Sequence, residues 1–195
     1  MPSSQIELPQ SSTALLLIDV INQLEFEDNE ELLTGLPQLA QNLSRLKRAA
    51  RQADTPVIYL NDNFNNWHSN FNEQLEACTK KGSKGRELAI ALKPTKQDFF
   101  VLKPMHSGFF GTPLEILLDK LGAKTLILTG IAADICVMYT ANDAYMRNYK
   151  LTIARDGVIS NHQHMTDEAL EKMHWLLKAR ILTVDELVSK FAKRD

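Results

Sequence analysis

Three side chains with complementary chemistry stand at the ends of apolar runs in this sequence. Asp19 closes the run "ALLLID", Lys103 closes "DFFVLK", and Cys136 follows "TLILTG" within the stretch "TGIAADICVMYTAND". A thiol is a strong nucleophile only when ionised, and a nearby ammonium and a helix N-terminus both lower its pKa. A carboxylate can take the thiol proton and return it to a leaving group. Together these residue types predict nucleophilic catalysis by Cys136, with Asp19 as the base.

Each of the three also has an ordinary structural explanation. A carboxylate after a strand often caps a turn, a lysine at a strand end is usually solvated, and a cysteine is commonly a small buried hydrophobe. The catalytic interpretation therefore depends on whether the fold brings all three side chains to one place.

Six short apolar runs alternate with amphipathic helical stretches along the chain. Four of the runs are almost continuously apolar, which is typical of parallel strands that are covered on both faces. The pattern predicts an α/β fold, a three-layer doubly wound sheet of about six parallel strands. The predicted strands are 14–19, 56–61, 98–103, 125–130, 151–156 and 180–184, and the predicted helices are 37–53, 113–121, 135–148, 166–179 and 185–193.

The carboxyl ends of parallel strands lie at one edge of the sheet, and ligands bind there where the strand order reverses. If the first and fourth strands are neighbours, Asp19, Lys103 and Cys136 converge at that edge. Residues 1–195 are predicted to form one domain with a polar, Asn-rich loop excursion at about 62–93, which could carry functional residues.

Composition narrows the class of protein. The 195 residues carry a formal net charge of −2 with scattered basic residues, which argues against nucleic acid or an anionic membrane as the partner. No apolar run is long enough to cross a bilayer, and the first residues do not resemble a secretory signal. Two cysteines make no disulfide framework, so a cytoplasmic protein is expected.

The motif G-[IV]-A-x-D-x-C-V around Cys136, with Asp and Lys at the ends of the first and third strands, resembles the isochorismatase-like cysteine hydrolase family. Its members include nicotinamidases and carbamoylsarcosine amidases. The resemblance implies the catalytic triad Asp19, Lys103 and Cys136, and a cis peptide between Ile131 and Ala132. It also implies an oxyanion hole formed by the backbone amides of Ala132 and Cys136, and a homodimer or homotetramer.

The sequence departs from the family pattern at a metal-binding element. Nicotinamidases hold a metal with an Asp-x-His element after the second strand, but here Asp62 is followed two residues later by Phe64. His68 and Asp62 alone do not make a convincing site, so we expect neither a metal nor another cofactor. The usual Gln after the first strand is replaced by Ile21, although Asn22 is retained.

Several residues are candidates for contact with a small-molecule substrate. They lie in the loops that follow the first four predicted strands and in the helix after Cys136: Asn22, Phe26, Trp67, His106, Phe110, Ile131 and Tyr139. Packing within the loops explains Phe26 and Trp67 equally well, and His106 has an ordinary explanation as a surface histidine. Two further histidines, His162 and His164, are expected in a polar loop, and Cys78 is expected to be exposed.

The function predicted from these residues is hydrolysis of a small amide, ureide or carbamoyl C–N bond through a thioester on Cys136. The alternative is an isochorismatase-type vinyl ether hydrolase, which would convert isochorismate to 2,3-dihydroxy-2,3-dihydrobenzoate and pyruvate with Asp19 as the acid. Isochorismatases proper often lack the cysteine, so Cys136 favours C–N hydrolysis. A third hypothesis is a non-catalytic thiol sensor on the same fold.

Overall fold

Six parallel strands form one sheet in the computed structural model, which describes residues 8–63 and 70–193. The strands are β1 Thr13–Ile18, β2 Val57–Asp62, β3 Phe99–Lys103, β4 Thr125–Ile131, β5 Lys150–Ile159 and β6 Arg180–Leu182. The helices are α1 Glu30–Gln52, α2 Phe71–Thr79, α3 Arg86–Ala91, α4 Leu114–Leu121, α5 Met138–Met146, α6 Gln163–Leu177 and α7 Val184–Ala192. A π-helical turn, Ala133–Val137, precedes α5.

Apolar side chains cover both faces of the sheet. Along β1, Leu15 and Leu17 face a core formed with α1 and α7, while Ala14, Leu16 and Ile18 face a second core formed with α4, α5 and α6. All five residues are fully buried. A strand with two covered faces has no polar alternation, which explains why the run could be recognised in the sequence. The predicted three-layer α/β architecture is confirmed.

The strand order β3-β2-β1-β4-β5-β6 places the reversal between β1 and β4. These two strands pair directly over six residue pairs, from Thr13 opposite Thr125 to Ile18 opposite Gly130. The chain builds outward from β1 in one direction and from β4 in the other. The loops after β1 and β4 therefore diverge, and they leave a crevice at the carboxyl edge of the sheet.

The predicted start of the first helix was wrong. Helix α1 begins at Glu30, one full turn or more before Pro37, which lies inside it. Proline removes one backbone hydrogen bond, but Leu32, Leu36 and Leu39 continue the buried face across it, and their burial offsets that loss. Helix α1 is the longest of the seven, and no helix in the described ranges is both long and apolar enough to cross a bilayer.

The predicted excursion contains two short helices: α3 packs against α1, and α2 packs against α3. The side chain of Asn70 caps α2 by accepting hydrogen bonds from the amides of Asn72 and Glu73. The prediction that Cys78 is exposed was wrong: it lies on the inner face of α2 and is 1% exposed. Burial raises the pKa of its thiol to about 11, and the charge of Glu25 adds to that rise. Cys78 is therefore a small core residue.

Gly130 allows β4 to pass close to β1 just before the crevice. Its φ is 112°, and a Cβ atom built on it would lie 1.9 Å from the carbonyl oxygen of Ile18. Gly82 also has a positive φ, 98°, but no atom lies within 4 Å of the Cβ position there. Both glycines thus have a positive φ, but only Gly130 lies so close to another strand that a Cβ atom would not fit.

We predict that Gly130→Ala destabilises the protein far more than Gly82→Ala. The control variant carries only the cost of an unfavourable φ, about 1–3 kcal/mol, whereas Gly130→Ala must also separate β1 from β4. Urea unfolding of the two variants measures the difference in free energy. Equal losses of stability would show that the approach of β4 to Ile18 has no energetic role.

Candidate active site

Lys103 lies at the centre of a buried polar cluster at the carboxyl edge of the sheet. Its Nζ atom is 2.8 Å from Oδ2 of Asp19, 3.4 Å from Oδ2 of Asp62 and 3.6 Å from Sγ of Cys136. The Lys103 side chain has no exposed surface. The structure thus brings together the three residues that the sequence analysis grouped, because β3, β1 and β4 all end at this edge.

The carboxylate of Asp19 is held from two sides. Its Oδ1 atom accepts a hydrogen bond of 2.7 Å from the amide of Asp62, and its Oδ2 atom is paired with Lys103. The backbone of Asp19 has a φ of 50°, in the left-handed region where Asp is tolerated more readily than most residues. This conformation ends β1 and fixes the carboxylate beside the ammonium.

Cys136 is carried by the π-helical turn that follows β4. The Ile131–Ala132 peptide bond before this turn is cis, and it is the bond at which the family resemblance places a cis peptide. The Ala132 carbonyl accepts hydrogen bonds from the amides of Ile135, at 3.2 Å, and Val137, at 3.0 Å. These bonds place Cys136 in the first turn of the helical segment, with its side chain partly exposed.

A second contact holds the other side of this turn. The Ser160 hydroxyl, at the end of β5, donates to the carboxylate of Asp134 at 2.5 Å and accepts from the Asp134 amide at 3.3 Å. The amide of Ser160 in turn donates to the hydroxyl of Thr166 in α6. The turn that carries the thiol is therefore fixed to β5 and α6 as well as to β4.

Burial disfavours the charged form of each ionisable group in this cluster, and nearby charges oppose or add to that effect. It raises the pKa of Asp19, although the charge of Lys103 acts in the other direction. Burial alone would lower the pKa of Lys103, but the negative charges around it, that of Asp19 first, outweigh burial and leave that pKa raised. Lys103 therefore stays protonated, and Asp19 is a better proton acceptor than an exposed carboxylate.

The expected fall in the pKa of the Cys136 thiol was wrong in direction. Burial, followed by the adjacent charge of Asp19, raises the pKa of this thiol to about 12, and Lys103 counteracts only part of the rise. The sequence could show that an ammonium would be near the sulfur. It also placed the Asp19 carboxylate near the sulfur, but it could not show that burial and this carboxylate would together outweigh the ammonium. The resting nucleophile is therefore a neutral thiol.

Asp62 is a member of the cluster that the sequence analysis considered only as a metal ligand. It ends β2, next to β1, and contributes its carboxylate to Lys103 and its amide to Asp19. The rule that selected Asp19 and Lys103, a charged residue at the carboxyl end of a strand, also applies to Asp62. That signal could therefore have identified Asp62 as a member of the cluster.

The loop between β3 and α4 covers the outer side of the thiol. His106 is exposed on this loop, its Nδ1 atom is 3.9 Å from Sγ of Cys136, and its ring lies 5.6 Å from that of Tyr139. Ser107 donates to the Asp143 carboxylate at 2.5 Å, and the Gly108 amide donates to the Thr140 hydroxyl at 2.9 Å. Both acceptors lie on α5, which continues from the turn that carries Cys136.

The remaining predicted contact residues lie at different depths. Asn22 is buried, and its side-chain oxygen accepts a hydrogen bond from the Leu24 amide, which orders the loop after β1. Ile131 is buried at the end of β4. The side chains of Phe26, Phe110 and Tyr139 are exposed to 37%, 61% and 52%. Trp67 and His68 lie outside the described residues.

The Isochorismatase domain model matches residues 13–186 of the sequence. This range begins at β1 and includes every strand of the sheet, Asp19, Lys103 and Cys136. The chain belongs to the isochorismatase-like hydrolase family.

Three relatives illustrate the range of this family. An uncharacterized isochorismatase family protein of Bacillus subtilis is 37% identical over 183 residues, which cover 94% of this chain and 100% of that protein. A ureidoacrylate amidohydrolase of Yersinia enterocolitica is 30% identical over 177 residues, 78% of this chain and 77% of that protein. The crystal structure of an isochorismatase-like hydrolase from Alkaliphilus metalliredigens matches 93% of this chain and 99% of that chain, with 25% identity and a TM-score of 0.74.

The described residues of this isochorismatase-like hydrolase do not fit the metal that nicotinamidases hold. The Asp62 carboxylate lies against the Lys103 ammonium, whose charge opposes a second cation at that carboxylate. Phe64 offers no donor atom, and no group of three or more His, Cys, Asp or Glu residues within 8–63 and 70–193 could hold a metal ion. We therefore assign no step to a metal.

His162 joins the loop after β1 to the start of α6. Its Nε2 atom is 2.9 Å from the Asp28 carboxylate and its Nδ1 atom is 2.9 Å from the Glu31 carboxylate, while the His164 ring stacks on it at 5.6 Å. Two carboxylate acceptors require a proton on each ring nitrogen, so this arrangement needs the imidazolium form. The hydrogen bonds that His162 makes to Glu31 and then to Asp28 raise the pKa of His162. The bond between His162 and Glu31 also lowers the pKa of Glu31.

We predict that His162→Gln lowers thermal stability at about pH 6 and has little effect at about pH 9. The folded-state pKa of His162 is raised, so its contribution is fully present below the unfolded value of about 6.5 and is lost as pH rises through the folded value. The lowered pKa of Glu31 keeps its own contribution present above about pH 4.5. Melting temperatures across this pH range measure the effect.

The matched control for this experiment is His164→Gln, which removes the imidazole that stacks on His162 but forms no hydrogen bond to Asp28 or Glu31. Its loss of stability is expected to be small at both pH values. A loss for His162→Gln that is the same at pH 6 and pH 9 would contradict a charged bridge.

Proposed function

We propose that this protein hydrolyses the C–N bond of a small amide, ureide or carbamoyl compound through a thioester on Cys136. The observation that carries the proposal is the position of the thiol, 3.6 Å from a buried ammonium that is itself paired with Asp19 at 2.8 Å. This arrangement places a nucleophile, a proton acceptor and a fixed positive charge within one group of contacts.

In the proposed first step, Asp19 takes the proton of the Cys136 thiol as the sulfur attacks the substrate carbonyl. The raised pKa of Asp19 favours this transfer, because a more basic carboxylate accepts a proton more readily. The negative charge then passes from Asp19 to the sulfur and on to the carbonyl oxygen. Lys103 contacts both Asp19 and Cys136, so it stabilises the charge before and after the transfer.

The carbonyl oxygen of the tetrahedral intermediate is proposed to accept hydrogen bonds from the amides of Ala132 and Cys136. The π-helical turn sets the orientation of the backbone at Cys136. The Cys136 amide lies between the amides of Ile135 and Val137, which both donate to the Ala132 carbonyl. Amides in the first turn of a helical segment are suited to bind an oxyanion.

Collapse of the intermediate breaks the C–N bond, and Asp19 returns its proton to the departing amine. Water then cleaves the thioester, which releases the acid and restores the thiol. Asp19 thus acts as base and then as acid, and it ends the cycle in the ionisation state in which it began.

The relationship to the ureidoacrylate amidohydrolase supports C–N hydrolysis, since that protein is 30% identical over most of this chain. Vinyl ether hydrolysis, the alternative chemistry in this family, would use Asp19 as an acid toward the ether and leave Cys136 without a covalent role. The partly exposed thiol beside Asp19 and Lys103 favours the first reaction.

We predict that Cys136→Ala abolishes amide and ureide turnover, with a loss of about 10⁴-fold or more, while the fold stays intact. Ammonia release from ureidoacrylate and from a panel of small amides and ureides measures turnover, and mass spectrometry of the quenched wild type detects an acyl adduct on Cys136. Asp19→Asn is expected to form no adduct, because it lacks the base.

Cys78→Ala is the matched control, since it removes the protein's other thiol from a buried position on α2. It is expected to keep wild-type turnover per folded molecule. Full activity of Cys136→Ala toward an amide would contradict the thioester mechanism. Full activity of the same variant toward isochorismate alone would favour vinyl ether hydrolysis.

A further inference from the structure

The thioester proposed above must be attacked by water, and Asp19 is poorly placed to activate it. Asp19 is only 4% exposed, whereas Cys136 is partly exposed, so the carboxylate lies deeper in the protein than the thiol. An acyl group on Sγ would stand between Asp19 and solvent, so the hydrolytic water must approach from the outer side.

His106 occupies that outer side. Its imidazole is exposed to solvent, and Nδ1 is 3.9 Å from Sγ of Cys136. A nitrogen at this distance from the sulfur leaves space for one water molecule that is bonded to the nitrogen and in contact with an acyl carbon on the sulfur, at about 3 Å from each. With its proton on Nε2, the imidazole offers Nδ1 as the acceptor.

The position of His106 relative to the sulfur is fixed by the framework around it. Lys103, three residues earlier, is buried in the cluster, and Ser107 and Gly108 are bonded to Asp143 and Thr140 of α5. The Thr140 hydroxyl also donates to the carbonyl of Cys136 itself, at 2.7 Å. One hydroxyl therefore ties the backbone of the nucleophile to the loop that carries the imidazole.

Asp143, which accepts the hydrogen bond from Ser107, is itself held in place by Arg147. Arg147 donates to its carboxylate at 2.9 Å and also pairs with Glu115 of α4 at 2.9 Å. Ser107, in the loop between β3 and α4, is thus connected through Asp143 and Arg147 to Glu115 of α4. Such anchoring is what a catalytic group on a loop needs to keep a constant distance from a reacting atom.

We infer that His106 is the general base for hydrolysis of the acyl-enzyme. This inference rests on the proposed function. Nδ1 of His106 takes a proton from water as the water oxygen bonds to the acyl carbon. The tetrahedral intermediate then breaks its C–S bond, and the electron pair leaves with the sulfur. The imidazolium returns the proton to the thiolate, so that the acid is released and both residues regain their starting forms. Asp19 serves acylation and His106 serves deacylation.

The two steps can be separated with p-nitrophenyl acetate, whose leaving group departs without needing a proton. Wild-type protein is expected to release p-nitrophenolate in a burst of one per Cys136, followed by a slower steady rate set by deacylation. His106→Ala is expected to keep the burst and to lose about 100-fold in the steady rate, so that acetyl-Cys136 accumulates and is seen by mass spectrometry. An intact burst also shows that the variant is folded.

Chemical rescue distinguishes a base from a residue that only packs. The acetylated His106→Ala protein is freed of p-nitrophenyl acetate by desalting, and loss of the acetyl mass is followed with and without free imidazole. Imidazole is expected to restore most of the lost rate in His106→Ala and to add little to wild type. His164→Ala, which removes an exposed imidazole elsewhere, is expected to match wild type throughout.

Failure of this inference differs from failure of the proposed function. If wild-type Cys136 is not acetylated, the thioester mechanism is wrong and the role of His106 is wrong with it. If Cys136 is acetylated and His106→Ala loses the acetyl group at the wild-type rate, only the role of His106 is overturned.

Discussion

Lys103 is an ammonium group with no exposed surface, and the arrangement of the crevice follows from its burial. Removing such a charge from water costs several kcal/mol unless opposite charges and hydrogen bonds replace the water. Asp19 and Asp62 supply those charges from the ends of β1 and β2, and the thiol of Cys136 completes the surroundings. The three strand ends and the turn after β4 must therefore keep their relative positions.

The same interaction explains why the site combines a basic carboxylate with a neutral thiol. Asp19 and Cys136 share the buried surroundings of Lys103, and burial raises the pKa of each. A site of this kind does not store a reactive thiolate. It holds a thiol and its base in contact, so that ionisation accompanies attack on a substrate. A stored thiolate would be open to oxidation and alkylation, and a protonated thiol is less exposed to both.

Much of the fold and the central part of the site could be predicted from the sequence because both depend on local patterns. Continuous apolar runs identify β1 and β4, and charged residues at the ends of the β1 and β3 runs identify Asp19 and Lys103. The start of α1 was missed because Pro37 resembles a helix start, whereas the buried leucines before it extend the helix. Cys78 was misjudged because its neighbours in sequence are polar, although helical periodicity turns it inward.

The contacts that the sequence did not predict join residues that are distant along the chain. The pairing of Asp62 with Lys103, the bridge from His162 to Asp28 and Glu31, and the bonds from the His106 loop to α5 all depend on how finished elements pack. The pKa of Cys136 belongs to the same class, since it reflects the sum of burial and two opposite charges. Residue types can suggest which charges are present, but only the distances between them determine whether the pKa of the thiol rises or falls.

The ionisation of Cys136 shows most directly whether the resting thiol is neutral and needs Asp19 as its base. The difference in ultraviolet thiolate absorbance between wild type and Cys136→Ala, followed across pH, reports the fraction of this thiol that is ionised. Because the pKa of the Cys136 thiol is raised to about 12, we expect no thiolate below about pH 9 in wild type. We expect a step at lower pH in Asp19→Asn, where the opposing carboxylate charge is gone but Lys103 remains. A thiolate step centred at or below neutral pH in wild type would contradict this expectation, because Cys136 would then be ionised without Asp19 as its base.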